Sequence, residues 1–396
     1  MKFIAFFEFH IDKLDSVLET WSETNQNVNN LEIYPFHILA ESYREITGFV
    51  IFKSETILNP EIGKFLAKYV QKGVDIKLIP IWKNSKLKKE LTKFIEAKQK
   101  TEQHWEEFKY QKIKNIGKTK TLEILPLIDW HSIRDDLKVE LGVSYLIKTD
   151  EKTILFDVGL NSGKSDPSPL LINMDVLGIF IEDIDIIIIS HNHGDHVGGG
   201  KWSENNTFSL STHQIDLGDM KVYTPVPMTY PGLNPICSDK PMVIAKGVAT
   251  IGTISNSLFL MGLVQEQALA INVEGKGVVL VVGCGHQTLP RIIERTEALF
   301  DEPIYGLIGG LHYPVNGGPI EIMGWFPHKI FGTGKLPWQA ITMEELEENI
   351  KFLKRRNPKI VCLSAHDSSE VSIKAFHDAF PKASKDINVG ERIIIR

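Results

Sequence analysis

Ser190-His191-Asn192-His193-Gly194-Asp195-His196-Val197-Gly198-Gly199 follows directly on the apolar, strand-like run Ile186-Ile187-Ile188-Ile189. Three histidines and an aspartate thus fall within six positions. Imidazole and carboxylate groups are ligands suited to zinc, iron or manganese. Side chains on an extended segment alternate faces, so His191 and His193 point the same way. Once the chain turns at Gly194, Asp195 and His196 can present ligands to a second ion beside the first. With 13 histidines in 396 residues, a polar loop whose histidines cluster by chance is the weaker reading.

The order H-x-H-x-D-H resembles the dinuclear metal signature of the metallo-β-lactamase fold at every signature position. The resemblance covers about residues 120–396. It implies an α/β architecture, the αββα metallo-β-lactamase sandwich, and a site holding two divalent metal ions. Zinc is the first expectation for those ions, with manganese or iron as alternatives.

The same resemblance directs attention to four other strand ends. Asp157, in Ile154-Leu155-Phe156-Asp157-Val158-Gly159, stands where the fold has an aspartate that orients a ligand rather than binding metal; the alternative is an ordinary turn aspartate. His286 ends the apolar run 278–282 inside Gly283-Cys284-Gly285-His286, matches the third metal motif, and is expected to complete the first site with His191 and His193. Cys284 is read as a buried small residue rather than a thiolate ligand. His366, in Val361-Cys362-Leu363-Ser364-Ala365-His366-Asp367, is expected to join Asp195 and His196 at the second ion. Asp367, Ser368 and Ser369 beside it suit either substrate oxygens or the cap of a following helix.

One position departs from the pattern. Where the fold usually supplies a bridging aspartate, this chain reads Gly309-Gly310-Leu311-His312. His312 either binds one ion terminally, contacts substrate or is structural, and the bridge falls to Asp195 or solvent. Asp195 and His312 are the candidate catalytic residues. The other histidines are taken as ordinary, His131 and His328 least firmly. Gly163-Lys164-Ser165 looks like the tail of a phosphate loop, but Val158 stands where the upstream glycine is required, which excludes it.

The chain before the sandwich reads differently. Strand-like runs at 2–9, 31–40, 46–52 and 75–82 alternate with two helical patterns, one marked by Leu14, Val17, Leu18 and Trp21, the other by Ile62, Phe65, Leu66 and Tyr69. That βαββαβ order is ferredoxin-like. The expected organisation is a small ferredoxin-like α+β domain at 1–82, a charged helical linker at 83–118 and the sandwich at 119–396. Lysines in the linker are interspersed with Glu90, Glu96, Glu102, Glu106 and Glu107, the pattern of a solvated helix rather than a nucleic-acid patch.

A formal net charge of -6 gives no electrostatic reason to expect nucleic acid or an anionic membrane. Three scattered cysteines form neither a disulfide framework nor a C-x-x-C site, and a cytoplasmic location fits them. The expected partner is a small-molecule substrate, with no nucleic acid and no membrane, and the N-terminal unit suggests a homodimer.

Glu266-Gln267-Ala268-Leu269, Gly283-Cys284-Gly285-His286, Gly309-Gly310-Leu311-His312 and His366 further resemble one subgroup of the fold. It is commonly labelled 7,8-dihydropterin-6-methyl-4-(β-D-ribofuranosyl)-aminobenzene-5′-phosphate synthase, which implies a pterin-pathway condensation. The ligands themselves favour metal-assisted hydrolysis of a phosphoester or phosphate-bearing small molecule. The rivals are that synthase chemistry, a di-iron redox protein, and a non-enzymatic metal-binding sensor. The aromatic, Pro/Gly-rich stretch Trp325–Trp338 reads as a lid or as a solvent-exposed insertion.

Overall fold

The computed structural model describes residues 2–10, 16–17, 32–33, 37–42, 45–53, 66–71, 74–81, 85–319, 328, 332–335 and 341–396. The chain divides into two compact units, Met1–Gln103 and His104–Arg396.

In the first unit, β1 (Lys2–His10), β2 (Glu32–Ile33), β3 (His37–Ser42), β4 (Glu45–Lys53) and β5 (Asp75–Ile81) form one sheet. Its order is β2-β4-β1-β5, with β3 also paired to β4, and all pairings are antiparallel. Within the run expected as a strand at 31–40, β2 and β3 are strands and residues 31 and 34–36 lie outside the described residues. Most of both expected helices lies outside the described residues, and the ferredoxin-like assignment with them. Helix α1 (Ser85–Glu107) occupies the charged segment.

The helix does not continue to 118 as the charge pattern suggests. Residues 108–118 run without helical structure, and Trp105, Tyr110 and Ile113 pack against the core of the second unit. There the guanidinium of buried Arg295 lies 4.3 Å from the ring centre of Phe108 and 4.6 Å from that of Tyr110. Cation–π stacking of this kind outweighs the modest helical propensity of an aromatic-rich segment.

The second unit contains two mixed sheets. The first holds β6 (Leu122–Ile128), β7 (Ser144–Lys148), β8 (Thr153–Phe156), β9 (Ile186–Ile188), β10 (Lys221–Thr224) and β11 (Ile236–Cys237), closed by β20 (Ile393–Ile395). The second holds β12 (Met242–Ala245), β13 (Val248–Thr250), β16 (Leu269–Val273), β17 (Gly277–Val282), β18 (Ile304–Gly309) and β19 (Ile360–Leu363), while β14 (Ile254–Leu258) and β15 (Gly262–Glu266) form a separate hairpin. Glu140 lies just before β7. Its carboxylate accepts the backbone N–H groups of Leu160, Asn161 and Ser162.

Alternation along the strands builds the layers. On β17, Val279 and Val281 face the core between the sheets, while Val278, Leu280 and Val282 face outward. The outer face is covered by α5 (Leu289–Leu299), α6 (Met343–Lys354) and α7 (Glu370–Ala379). On β9, Ile186 and Ile188 face inward and Ile187 faces α2 (Pro169–Val176). Two sheets with helices on both outer faces make an αββα sandwich, as the sequence leads one to expect. Two short helices, α3 (Gly194–Val197) and α4 (Gly200–Glu204), follow β9 directly.

The strands β8 and β9 run parallel, and so do β17, β18 and β19. Parallel strands put their carboxyl ends on one edge, where polar loops escape the buried core. Asp157, the 190–196 segment, the 283–286 loop, His312 and His366 all follow the ends of these strands.

Candidate metal centre

Three groups of ligand atoms converge at this edge. In each, the atoms lie within 4.8 Å of one another: His191 with His193 and His286; Asp195 with His196, Cys284 and His366; and Cys284 with His286 and His312. Ligand atoms 2.0–2.3 Å from one tetrahedral ion stand roughly 3.3–3.8 Å apart, so closing on an ion needs only small side-chain movements. The expected ligands are therefore brought together, with Cys284 joining Asp195, His196 and His366, and His312 joining His286.

The imidazoles are oriented by their far nitrogens. His191 Nδ1 lies 2.9 Å from Ser190 Oγ, and that hydroxyl donates to Asp157 Oδ2 at 2.7 Å. His196 Nδ1 lies 2.7 Å from Asp157 Oδ2. His286 Nδ1 donates to the Gly332 carbonyl at 2.8 Å. His366 Nδ1 lies 2.7 Å from Ser364 Oγ, which donates to Asp129 at 2.7 Å. A proton held on Nδ1 leaves the Nε2 lone pair for a metal.

The donors fit a divalent ion on independent grounds. His191 is fully buried, and its Nε2 has no hydrogen-bond partner among the described residues. A buried polar atom of that kind costs about 1–3 kcal/mol unless something satisfies it. Burial also pushes the pKa of His191, His286 and His366 well below the ordinary imidazole range, and that of His193 to about 4. Neutral imidazole is the form that binds metal. His196 goes the other way: Asp195 and Asp157 outweigh burial and hold its pKa at about 9. This end of the site therefore calls for positive charge.

Backbone geometry sets the loops. Asp157 has φ 61° and His312 φ 51°, conformations that cost a non-glycine residue of order 1–3 kcal/mol and concentrate at functional sites. Gly310 admits no side chain, because a Cβ there would stand 2.3 Å from the Gly283 carbonyl oxygen and 2.8 Å from His366 Cε1.

The sequence profile of the metallo-beta-lactamase superfamily matches residues 137–208, which include the whole histidine-rich segment. The chain carries a metallo-beta-lactamase superfamily domain. A curated relative is the 7,8-dihydropterin-6-methyl-4-(beta-D-ribofuranosyl)-aminobenzene-5'-phosphate synthase of Methanocaldococcus jannaschii, 26% identical over a match that covers 50% of this chain and 80% of that one. Among solved structures, a metal-dependent hydrolase of the beta-lactamase superfamily is 19% identical, covering 69% of this chain and 98% of its own, with a TM-score of 0.46. A metallo-beta-lactamase fold protein of Bacillus subtilis is 14% identical, covering 70% of this chain and 100% of its own, with a TM-score of 0.42. No helix among the described residues is long and apolar enough to cross a membrane.

Several groups take roles in this metallo-beta-lactamase domain that their sequence context does not reveal. Glu266 is fully buried, and its carboxylate accepts the backbone N–H groups of Cys284, Gly285 and His286 at 3.0, 2.9 and 2.7 Å. It fixes the loop that carries His286. Burial pushes its pKa up to about 7 against the pull of those amides. Asp129 supports His366 through Ser364 and also accepts from Tyr145 Oη at 2.6 Å. Cys284 is buried as expected, but its Sγ stands 3.0 Å from His196 Nε2 and 3.1 Å from His366 Nε2.

His312 faces the first group, its ring centre 5.0 Å from that of His286, and its Nε2 lies 3.2 Å from the carbonyl of His328. The His328 ring, set aside on sequence, lies 6.0 Å from that of His312. Of the insertion 325–338, residues 328 and 332–335 are described, and Gly332 touches His286; the rest of the expected lid lies outside the described residues. Asp367 and Ser368 are buried and brace the loop that carries His312. Asp367 accepts the N–H of His312 at 3.0 Å, Ser368 Oγ accepts that of Tyr313, and Ser369 caps α7.

Proposed function

We propose that this chain is a metallohydrolase holding two divalent ions, zinc by preference, and acting on a phosphoester or phosphate-bearing small molecule. The observation that carries the reading is the pair of adjoining ligand groups, His191/His193/His286 and Asp195/His196/His366, with the imidazoles of His191, His196, His286 and His366 turned Nε2-inward. Ions held there supply Lewis-acid polarisation of a phosphoryl oxygen and a water acidified towards neutrality.

The protein's own groups do the rest. The Asp195 side chain is 27% exposed, so its carboxylate reaches both the ligand cluster and solvent, where it orients the attacking water and accepts its proton. His312 sits over the first group and offers an imidazole to a substrate oxygen. Asp157 and Asp129 hold the imidazoles still, which keeps the reacting groups aligned without reorganisation. No serine or cysteine nucleophile is required.

The phosphate preference draws on the ability of paired cations to clamp attacking and leaving oxygens. It agrees with the 5'-phosphate in the name of the Methanocaldococcus relative. That name also supports a second reading, synthesis of a pterin-bearing product at the same centre.

The test is turnover. Zinc- or manganese-loaded protein is expected to hydrolyse a simple phosphodiester, and His191→Ala to abolish that turnover with the fold retained. Iron with an optical charge-transfer band and no hydrolysis would overturn the reading in favour of redox chemistry. Absence of hydrolysis, with formation of the pterin product, would favour the synthase.

A further inference from the structure

We infer that Cys284 is a direct thiolate ligand of the second ion, completing a four-ligand set with Asp195, His196 and His366. The inference rests on the dinuclear reading above and assigns a role to a residue that the histidine pattern leaves out.

The argument begins with the sulfur's neighbours. Cys284 Sγ is 3.0 Å from His196 Nε2 and 3.1 Å from His366 Nε2. Asp195 Oδ2 lies 3.6 Å from the same His196 Nε2. Each imidazole is tied through Nδ1, His196 to Asp157 and His366 to Ser364, so both Nε2 atoms are committed to this one point. One sulfur, two imidazole nitrogens and a carboxylate oxygen thus lie within 4.8 Å of one another. One ion at the centre of the four atoms satisfies all of them.

The backbone holds the sulfur in place. The N–H of Cys284 donates to Glu266, whose carboxylate also grips the next two residues. Gly283 lets the loop approach the 190 segment, since a Cβ there would stand 2.3 Å from Ser190 Oγ. Gly285, with φ 69°, then turns the chain so that Cys284 serves one ligand group and His286 the other. The residue is buried at 2% exposure, which protects a thiolate from oxidation and alkylation but not from an ion entering between its neighbours.

Ligation is a plain exchange. The S–H bond breaks, its proton leaves to solvent, and a sulfur–metal bond forms with no change of oxidation state. A set of one sulfur, two nitrogens and one oxygen suits zinc and cobalt better than magnesium or calcium. It also removes the difficulty raised by His312 in place of a carboxylate, because the second ion no longer depends on a ligand from that position.

Cobalt(II) titration of the full chain tests this. Two equivalents are expected to bind, and the second is expected to bring a near-ultraviolet sulfur-to-cobalt charge-transfer band. Cys284→Ser and Cys284→Ala should lose that band, and should bind the second ion at least about tenfold more weakly, since loss of even an outer-shell partner costs about 10–100-fold. A variant with both Cys237 and Cys362 replaced by Ser should keep it. Two bound cobalt ions without the band in the wild-type chain would overturn the inference and leave the dinuclear reading standing. The band persisting in Cys284→Ser would overturn it as well. Failure to bind a second ion at all would overturn both.

Discussion

Asp157 Oδ2 lies 2.7 Å from His196 Nδ1, and the same carboxylate accepts the N–H of Ser190 at 2.6 Å and its hydroxyl at 2.7 Å. One buried carboxylate thus positions a member of each ligand group, His196 directly and His191 through Ser190. Asp157→Asn keeps the volume and removes the charge. It should weaken zinc binding about 10–100-fold, measured by competition with a chelator. Unchanged affinity would mean that Asp157 is only part of the turn.

Ser364 links His366 Nδ1 to Asp129. Ser364→Ala cuts that link and strips one donor from a fully buried carboxylate. The second ion should bind about tenfold more weakly, with the first unaffected, and the fold should lose about 1–3 kcal/mol. Equal weakening of both ions in a stepwise titration would count against the assignment of His366 to one group.

How far these relationships can be read from the chain depends on sequence distance. The 190–196 segment declares itself because its ligands are local and strand alternation fixes their sides. His286 and His366 are visible because each follows an apolar run at a strand end. The αββα layering is readable for the same reason. Asp129 and Ser364 are 235 residues apart, and nothing in the neighbourhood of either marks it as a partner. Glu266 stands in a stretch that resembles the subgroup, but only the fold brings three amides to its carboxylate. Cys284 looks like packing until His196 and His366 close on it from other strands. Aromatic packing around Arg295, another long-range contact, is what ends the expected linker helix early.

Glu266 makes a prediction about pH. Its pKa is about 7 in the folded chain against 4.5 for an ordinary glutamate. Between those values the folded chain holds the extra proton, so this residue's contribution to stability falls as pH rises through the window. Glu266→Gln removes that dependence. In chelator-treated protein, the stability lead of the wild type over Glu266→Gln should shrink from pH 5 to pH 8 by on the order of 2 kcal/mol. Denaturant unfolding at the two pH values measures it. A difference that does not change with pH would mean that Glu266 titrates as an ordinary carboxylate.

The most direct measurement is the number of zinc ions bound per chain after reconstitution and removal of excess metal, for wild type and His191→Ala side by side. The account predicts two ions in the wild type and one in the variant, the survivor held by the Asp195, His196 and His366 group, with phosphodiester turnover present only in the wild type. Two ions retained in His191→Ala, or none bound by the wild type, would contradict it.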